Sequence, residues 1–117
     1  MKLNHINLSV TEVMPTVLLL ETHFGLRRSG GPCNDAMAFM QDENDSLIAL
    51  FKAKDVDYPR MFHVGFIQEN AEQVREIHRR LKADGFELGE PRENHGRLTF
   101  YFEAPGGFVI EVEAFLG

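Results

Sequence analysis

The chain has 117 residues, 44% of them hydrophobic with ten Phe, and a formal net charge of −6. That length makes one domain, or two very small units sharing a core, and the apolar fraction is enough to bury one. The negative balance excludes nucleic acid as the main partner, because phosphate binding needs a basic face. A single cysteine, Cys33, excludes an intramolecular disulfide and a Cys-based zinc site, and a free thiol fits a reducing cytoplasm. The opening Met1-Lys2-Leu3-Asn4-His5 is polar too early for a signal peptide, and Val17-Leu18-Leu19-Leu20 is far too short to span a membrane. The expectation is a soluble cytoplasmic protein with no nucleic-acid or membrane partner.

Residues 3–10 alternate as a half-buried strand does, with Leu3, His5, Asn7 and Ser9 on one face and Asn4, Ile6, Leu8 and Val10 on the other. Ser9 or Thr11 is a candidate cap for the helix that follows. Pro15 suits its first turn, Val17, Leu18 and Leu20 would pack inward, and Gly25 would stop it. Residues 26–31 read as a short strand. Residues 35–41 and 46–52 read as a hairpin turning at Asp42-Glu43-Asn44-Asp45. A polar linker, 54–60, separates this first module (about 1–53) from a second (about 61–117).

Phe62-His63-Val64-Gly65-Phe66-Ile67-Gln68 looks like a second copy of Asn4-His5-Ile6-Asn7-Leu8-Ser9-Val10. Asn70 caps the next helix with Gln73 as its capping-box partner, and Val74, Ile77, His78 and Leu81 follow at helical spacing until Gly85. Residues 86–88 read as a short strand, 92–97 as a polar loop, and 98–103 with 108–115 as a last hairpin around Pro105-Gly106-Gly107. The order β-α-β-β-β therefore occurs twice, an internal duplication. The fold class is α+β: two paired βαβββ modules forming a cup-shaped mixed sheet with helices on the outer face and a concave ligand face within.

Aligning Gly25 with Gly85, and Ser46-Leu47-Ile48 with Gly107-Phe108-Val109, sets His5 against His63, Leu50 against Glu111 and Met40 against Tyr101. Two histidines and one carboxylate on neighbouring strands make a facial triad. Such a set suits a divalent first-row metal, or zinc with one open position. Tyr101 is a candidate hydrogen-bond donor or weak acid beside it. Asn7 shares the face of His5. His95 and Arg97 lie in the polar loop, where Arg97 suits an anion, and Met40 and Leu50 would make the module-one wall apolar. Each has a plainer reading: a strand histidine bonded to a carbonyl, a solvent-facing acid at Glu111, an ordinary exposed loop at His95 and Arg97, plain core at Met40 and Leu50. His78 reads as packing, and His23 as a partner for the helix C-terminal dipole.

Leu3-Asn4-His5-Ile6-Asn7-Leu8-Ser9-Val10, His63-Val64-Gly65-Phe66 and the run from Thr99-Phe100-Tyr101 through Pro105-Gly106-Gly107 to Val109-Ile110-Glu111 together resemble the vicinal-oxygen-chelate superfamily. That superfamily includes glyoxalase I, extradiol dioxygenases, fosfomycin-modifying transferases and bleomycin-resistance proteins. The resemblance implies His5, His63 and Glu111 as ligands of one divalent metal ion (Fe, Mn, Zn or Ni). Taken with the reading of the residues above, Tyr101 and Glu111 are the expected catalytic groups, with Asn7, His95, Arg97, Tyr101, Leu50 and Met40 around a small-molecule substrate. A homodimer, sometimes with modules exchanged between chains, is implied too. Glyoxalase I usually has a fourth ligand on the strand that here carries Leu50. The activity implied is metal-dependent lyase, isomerase, dioxygenase or transferase chemistry, the alternative being a metal-free drug-binding protein of the bleomycin-resistance kind.

Overall fold

The computed structural model describes every residue from Met1 to Gly117. Its elements are β1 (His5–Val10), α1 (Val13–Phe24), β2 (Arg27–Cys33), β3 (Met37–Gln41), β4 (Leu47–Lys52), β5 (His63–Ile67), α2 (Ala71–Ala83), β6 (Arg92–Asn94), β7 (Arg97–Ala104) and β8 (Phe108–Phe115). The βαβββ order occurs twice, and the class is α+β as expected. The chain divides into one unit of Met1–Tyr58 with Pro105–Gly107, and a second of Pro59–Ala104 with Phe108–Gly117.

In the first unit the sheet order is β1-β4-β3-β2, with β1 parallel to β4 and the other pairs antiparallel. Leu8, Val10, Ala38, Met40 and Leu50 are buried together with Val13, Val17 and Leu20 of α1. Helix α1 begins after Glu12, which makes no side-chain cap bond, so neither Ser9 nor Thr11 caps it. Instead Thr16, wholly buried, has its hydroxyl oxygen 2.7 Å from the carbonyls of both Glu12 and Pro105, which share its single hydrogen. Gly25 ends the helix in the left-handed region at φ 68°, where its amide reaches the Leu20 carbonyl. The inward set is Val13, Val17, Leu19 and Leu20, whereas Leu18 points outward and is 54% exposed. Val13, Thr16, Val17 and Leu20 recur at i, i+3, i+4 and i+7 on one face, and Leu18, one position on from Val17, falls outside it.

The turn Pro105–Gly107 belongs to this first unit although it joins β7 to β8. Thr11 N–H donates to the Gly106 carbonyl at 3.1 Å. Gly106 has φ +95°, and a Cβ there would lie 2.8 Å from Val10 Cβ.

The second unit repeats the order as β5-β8-β7-β6. Asn70 accepts the Gln73 amide at 2.9 Å, and the Gln73 side chain returns a bond to the amide of Glu69, one residue before the cap. Val74, Ile77, His78 and Leu81 are buried as their spacing predicts. His78 Nε2 lies 3.1 Å from the Gly89 carbonyl, with the ring edge-on to Phe100, a packing role. Residues 86–88 form no strand. The short strand is β6, Arg92–Asn94, where a loop was expected. Its residues are polar and exposed because it is an edge strand held by backbone bonds to β7. His95 (φ 52°) and Gly96 (φ 75°) make the two-residue turn between them, with the positive φ at both positions that a tight hairpin requires. No helix is long and apolar enough to cross a membrane.

Candidate functional site

Strand register decides which side chains share a face. In the second unit β5 runs parallel to β8 with His63 opposite Val109 and Gly65 opposite Glu111, and Glu111 faces Tyr101 across β7. His63, Gly65, Glu111, Tyr101, Thr99 and Glu113 therefore lie on one face. The opposite face carries Phe100, Phe102, Ile110 and Val112, all buried.

Glu111 is only 5% exposed. Its Oε2 accepts the Thr99 hydroxyl at 2.7 Å, and its Oε1 lies 3.2 Å from His63 Nε2. His63 Nδ1 sits 3.0 Å from the Met61 carbonyl. A carbonyl only accepts, so Nδ1 carries the hydrogen and Nε2 presents a lone pair. Two acceptors then face each other, and they attract only if something positive, a proton or a metal cation, lies between them. His5 has the same arrangement in the first unit: Nδ1 is 2.8 Å from Asn4 Oδ1, which leaves Nε2 as a free donor atom. Fixing Nδ1 so that Nε2 is available is how proteins prepare histidine for metal. The donor set, imidazole with a carboxylate, suits a divalent first-row ion. Within the chain no group of three or more His, Cys, Asp or Glu is placed to hold a metal ion. What is assembled is the His63–Glu111 pair in one unit and His5 in the other.

Tyr101 lies beside that pair, its ring edge-on to His63 at 5.6 Å between centroids. Its phenol is pushed above its ordinary value of 10.0, first by desolvation and then by hydrogen bonding to Glu111 and by that group's charge. It therefore stays protonated at neutral pH and acts as a donor rather than a base. Tyr58→Phe leaves Tyr101 as the sole tyrosine, so its phenolate absorbance is expected to rise with a midpoint above pH 10. Adding Glu111→Gln should bring that midpoint down. A midpoint unmoved by Glu111→Gln would remove the carboxylate as its cause.

Arg97, expected in a loop, is the first residue of β7, and its Nη1 donates to Glu113 Oε1 at 2.6 Å. Its fork is thus partly engaged by an acid. His95 stands at the β6–β7 turn, exposed. Beside Tyr101 a cavity of about 410 Å³ is lined by Gly89, Glu90, Arg92, Glu93, Asn94, Thr99, Phe100 and Tyr101, without His95 or Arg97. In the first unit His5 and Asn7 line a cavity of about 490 Å³ together with Asn4, Phe39, Gln41, Asp45, Leu47 and Ala49.

Met40 and Leu50 do not line it. Both are fully buried on the opposite face, paired through Ile48 and Ala38. Asn7 pairs with Ala49, and Ala49 with Phe39, so Ala49 and Phe39 are the counterparts of Glu111 and Tyr101. The alignment of Leu50 with Glu111 is therefore one residue out of register, and a shift of one exchanges the two faces of a strand. Sequence reasoning also missed Thr99 and Glu113, which the alternation around Tyr101 and Glu111 was enough to place on this face.

The sequence profile described as Glyoxalase/Bleomycin resistance protein/Dioxygenase superfamily matches residues 2–112. No curated protein matches the chain. Among solved structures, a possible glyoxalase from Bacillus cereus is 48% identical, with 96% of this chain and 97% of that chain covered and a TM-score of 0.88. The fosfomycin resistance protein FosX from Listeria monocytogenes shares the fold at 22% identity, with 97% and 93% covered and a TM-score of 0.82. Lactoylglutathione lyase from Agrobacterium tumefaciens shares it at 16% identity, with 97% and 92% covered and a TM-score of 0.77.

Proposed function

Because this chain belongs to the Glyoxalase/Bleomycin resistance protein/Dioxygenase superfamily, we propose that it is a divalent-metal-dependent enzyme acting on a small oxygen-bearing molecule. His5, His63 and Glu111 are the proposed ligands. The observation that carries this reading is the 3.2 Å approach of His63 Nε2 to Glu111 Oε1 with Nδ1 already committed to a carbonyl. A buried carboxylate is costly unless it is paired; Thr99 bonds one oxygen of Glu111, and a divalent cation held by His63 and Glu111 would balance the charge.

A bound Fe, Mn, Zn or Ni ion would supply a Lewis acid for one or two substrate oxygens. The chain's own residues do the rest. Thr99 fixes the carboxylate plane through Glu111 Oε2. Tyr101 holds its proton beside Glu111, and its hydroxyl would have to turn from that carboxylate to donate to a substrate oxygen. Glu113 holds Arg97 along the same strand face. The chemistry is of the lyase, isomerase, dioxygenase or transferase kind that this superfamily's names cover.

We further propose a homodimer, in which His5 of one copy joins His63 and Glu111 of the other. The test has two stages. Added Mn²⁺, Ni²⁺, Zn²⁺ or Fe²⁺ should raise the melting temperature, since a ligand at 100 times its Kd stabilises by about 2.7 kcal/mol. His5→Ala and Glu111→Ala, each inactive in metal uptake alone, should then recover about half a site per dimer when unfolded and refolded together. No metal-dependent rise sinks the enzyme reading. A rise without recovery in the mixture places the three ligands in a single chain.

A further inference from the structure

Helix α2 buries Val74, Ile77, His78 and Leu81 at i, i+3, i+4 and i+7, so a histidine stands on its apolar stripe. His78 is buried, with Phe100 edge-on to its ring at 5.0 Å between centroids. A polar ring in such a place is costly unless it is bonded. Its bond runs from Nε2 to the Gly89 carbonyl at 3.1 Å. A carbonyl only accepts, so Nε2 carries the hydrogen. Gly89 in turn donates its amide to the Tyr101 carbonyl at 3.3 Å. It is thus held from both sides, by α2 through its oxygen and by β7 through its nitrogen.

Residues 84–91 join α2 to β6 without helix or strand. Their first part is tied back to the helix by the amides of Asp84, Gly85 and Phe86. Beyond Phe86 the ties are the two at Gly89. Gly89 and Glu90 line the cavity of about 410 Å³ beside Tyr101, together with Thr99, whose hydroxyl bonds Glu111. We propose that His78 is a positioning residue for this site: its bond to Gly89 holds residues 87–91 against β7 as one wall of that cavity. Any apolar side chain of similar size would fill the space beside Phe100. Only a donor where Nε2 stands reaches the Gly89 oxygen, and that donor sets where the wall lies. Binding and reaction are sensitive to displacements of a wall on the ångström scale. This rests on the proposed function only in taking the Tyr101 cavity as the place of the substrate; the hold on Gly89 needs no metal.

Replacements of His78 separate the donor from the filler. His78→Gln keeps a donor nitrogen on a side chain of similar reach, whereas His78→Leu and His78→Met fill space and have none. All are made on Tyr58→Phe, which leaves Tyr101 as the sole tyrosine in a chain without Trp. Amide exchange followed by NMR reads the clamp at Gly89, and acrylamide quenching of Tyr101 fluorescence reads the wall. In the two donorless variants the Gly89 amide is expected to exchange about fivefold faster, the scale of one neutral hydrogen bond. Amides of β8 should hold their rates, and Tyr101 should be quenched more readily. His78→Gln should keep the Gly89 rate within about twofold of the parent. The proposal is overturned if the donorless variants leave Gly89 exchange or Tyr101 quenching unchanged, or if glutamine behaves as leucine does. It is also overturned if β8 amides speed up as much as Gly89, because His78 then only stabilises the unit as a whole. Mn²⁺ uptake should be equal in all the variants, since His5, His63 and Glu111 are untouched. Its absence throughout sinks the metal reading alone, with exchange and quenching still deciding this one.

Discussion

Glu111→Gln is expected to weaken divalent-metal binding by at least about 100-fold while the protein stays folded. Glutamine keeps the volume and can still accept the Thr99 hydroxyl, but it removes the negative charge with which Glu111, beside His63, would hold a divalent cation. His63→Ala should cost a similar factor. Glu113→Gln is the control. Both carboxylates flank Gly65, where a Cβ would lie 3.5 Å from Glu113 Oε2 and 3.8 Å from Glu111 Oε1, but Glu113 is committed to Arg97. Its loss should change metal affinity by less than about threefold, well below the cost of losing a ligand. The measurement is metal affinity by competition with a chelator, with circular dichroism to verify folding. Equal losses in the Glu111 and Glu113 variants would mean that general negative charge holds the metal, not a ligand set.

Gly106→Ala should destabilise the protein by about 3 kcal/mol, through two additive causes. At φ +95° any side chain is strained, and the new Cβ would stand 2.8 Å from Val10 Cβ and 3.0 Å from Thr16 Oγ1. Neither neighbour can yield, since both are wholly buried and Thr16 is tied to two carbonyls. Gly107→Ala separates the causes. Its φ is +94°, but the nearest atom to its Cβ is Val56 Cβ at 3.6 Å, ordinary contact. That variant should lose only the conformational part, about 1–2 kcal/mol. Urea denaturation of both variants reads the difference. A Gly106→Ala cost no greater than that of Gly107→Ala would show that the turn is free to move off Val10.

The second unit was far more legible in the sequence than the first, and the reason is contrast. In β8, Glu111 and Glu113 alternate with Ile110 and Val112, so the inward and outward faces can be told apart by period alone. In β3 and β4, Met37-Ala38-Phe39-Met40 and Leu47-Ile48-Ala49-Leu50 are apolar at every position. Period two then carries no information, and only the pairing of Asn7 with Ala49 shows which residues share the face of His5. The alignment that set Leu50 against Glu111 was anchored on the turns, and these differ: Asp42 to Ser46 closes one hairpin, Pro105 to Gly107 the other. The histidines were legible because each opens its strand, and β6 was not, because an edge strand needs no apolar face to exist. Its signal was Asn94-His95-Gly96, a turn sequence, rather than anything within the strand itself.

The turn between β7 and β8 also bears on how the chain is made. Thr16 is buried against the Pro105 carbonyl, 89 residues further along. β1 and α1 are made well before the Gly106 and Pro105 carbonyls that bond Thr11 and Thr16, and until then Thr16 has only the Glu12 carbonyl. The N-terminal half therefore waits, with part of its interior unfinished, until the last hairpin is translated. Such distant closure slows folding and prolongs the exposure of apolar strands. It also means that the internal duplication is not a seam. Cutting the chain at the linker would give an N-terminal piece that lacks Pro105–Gly107 of its own unit.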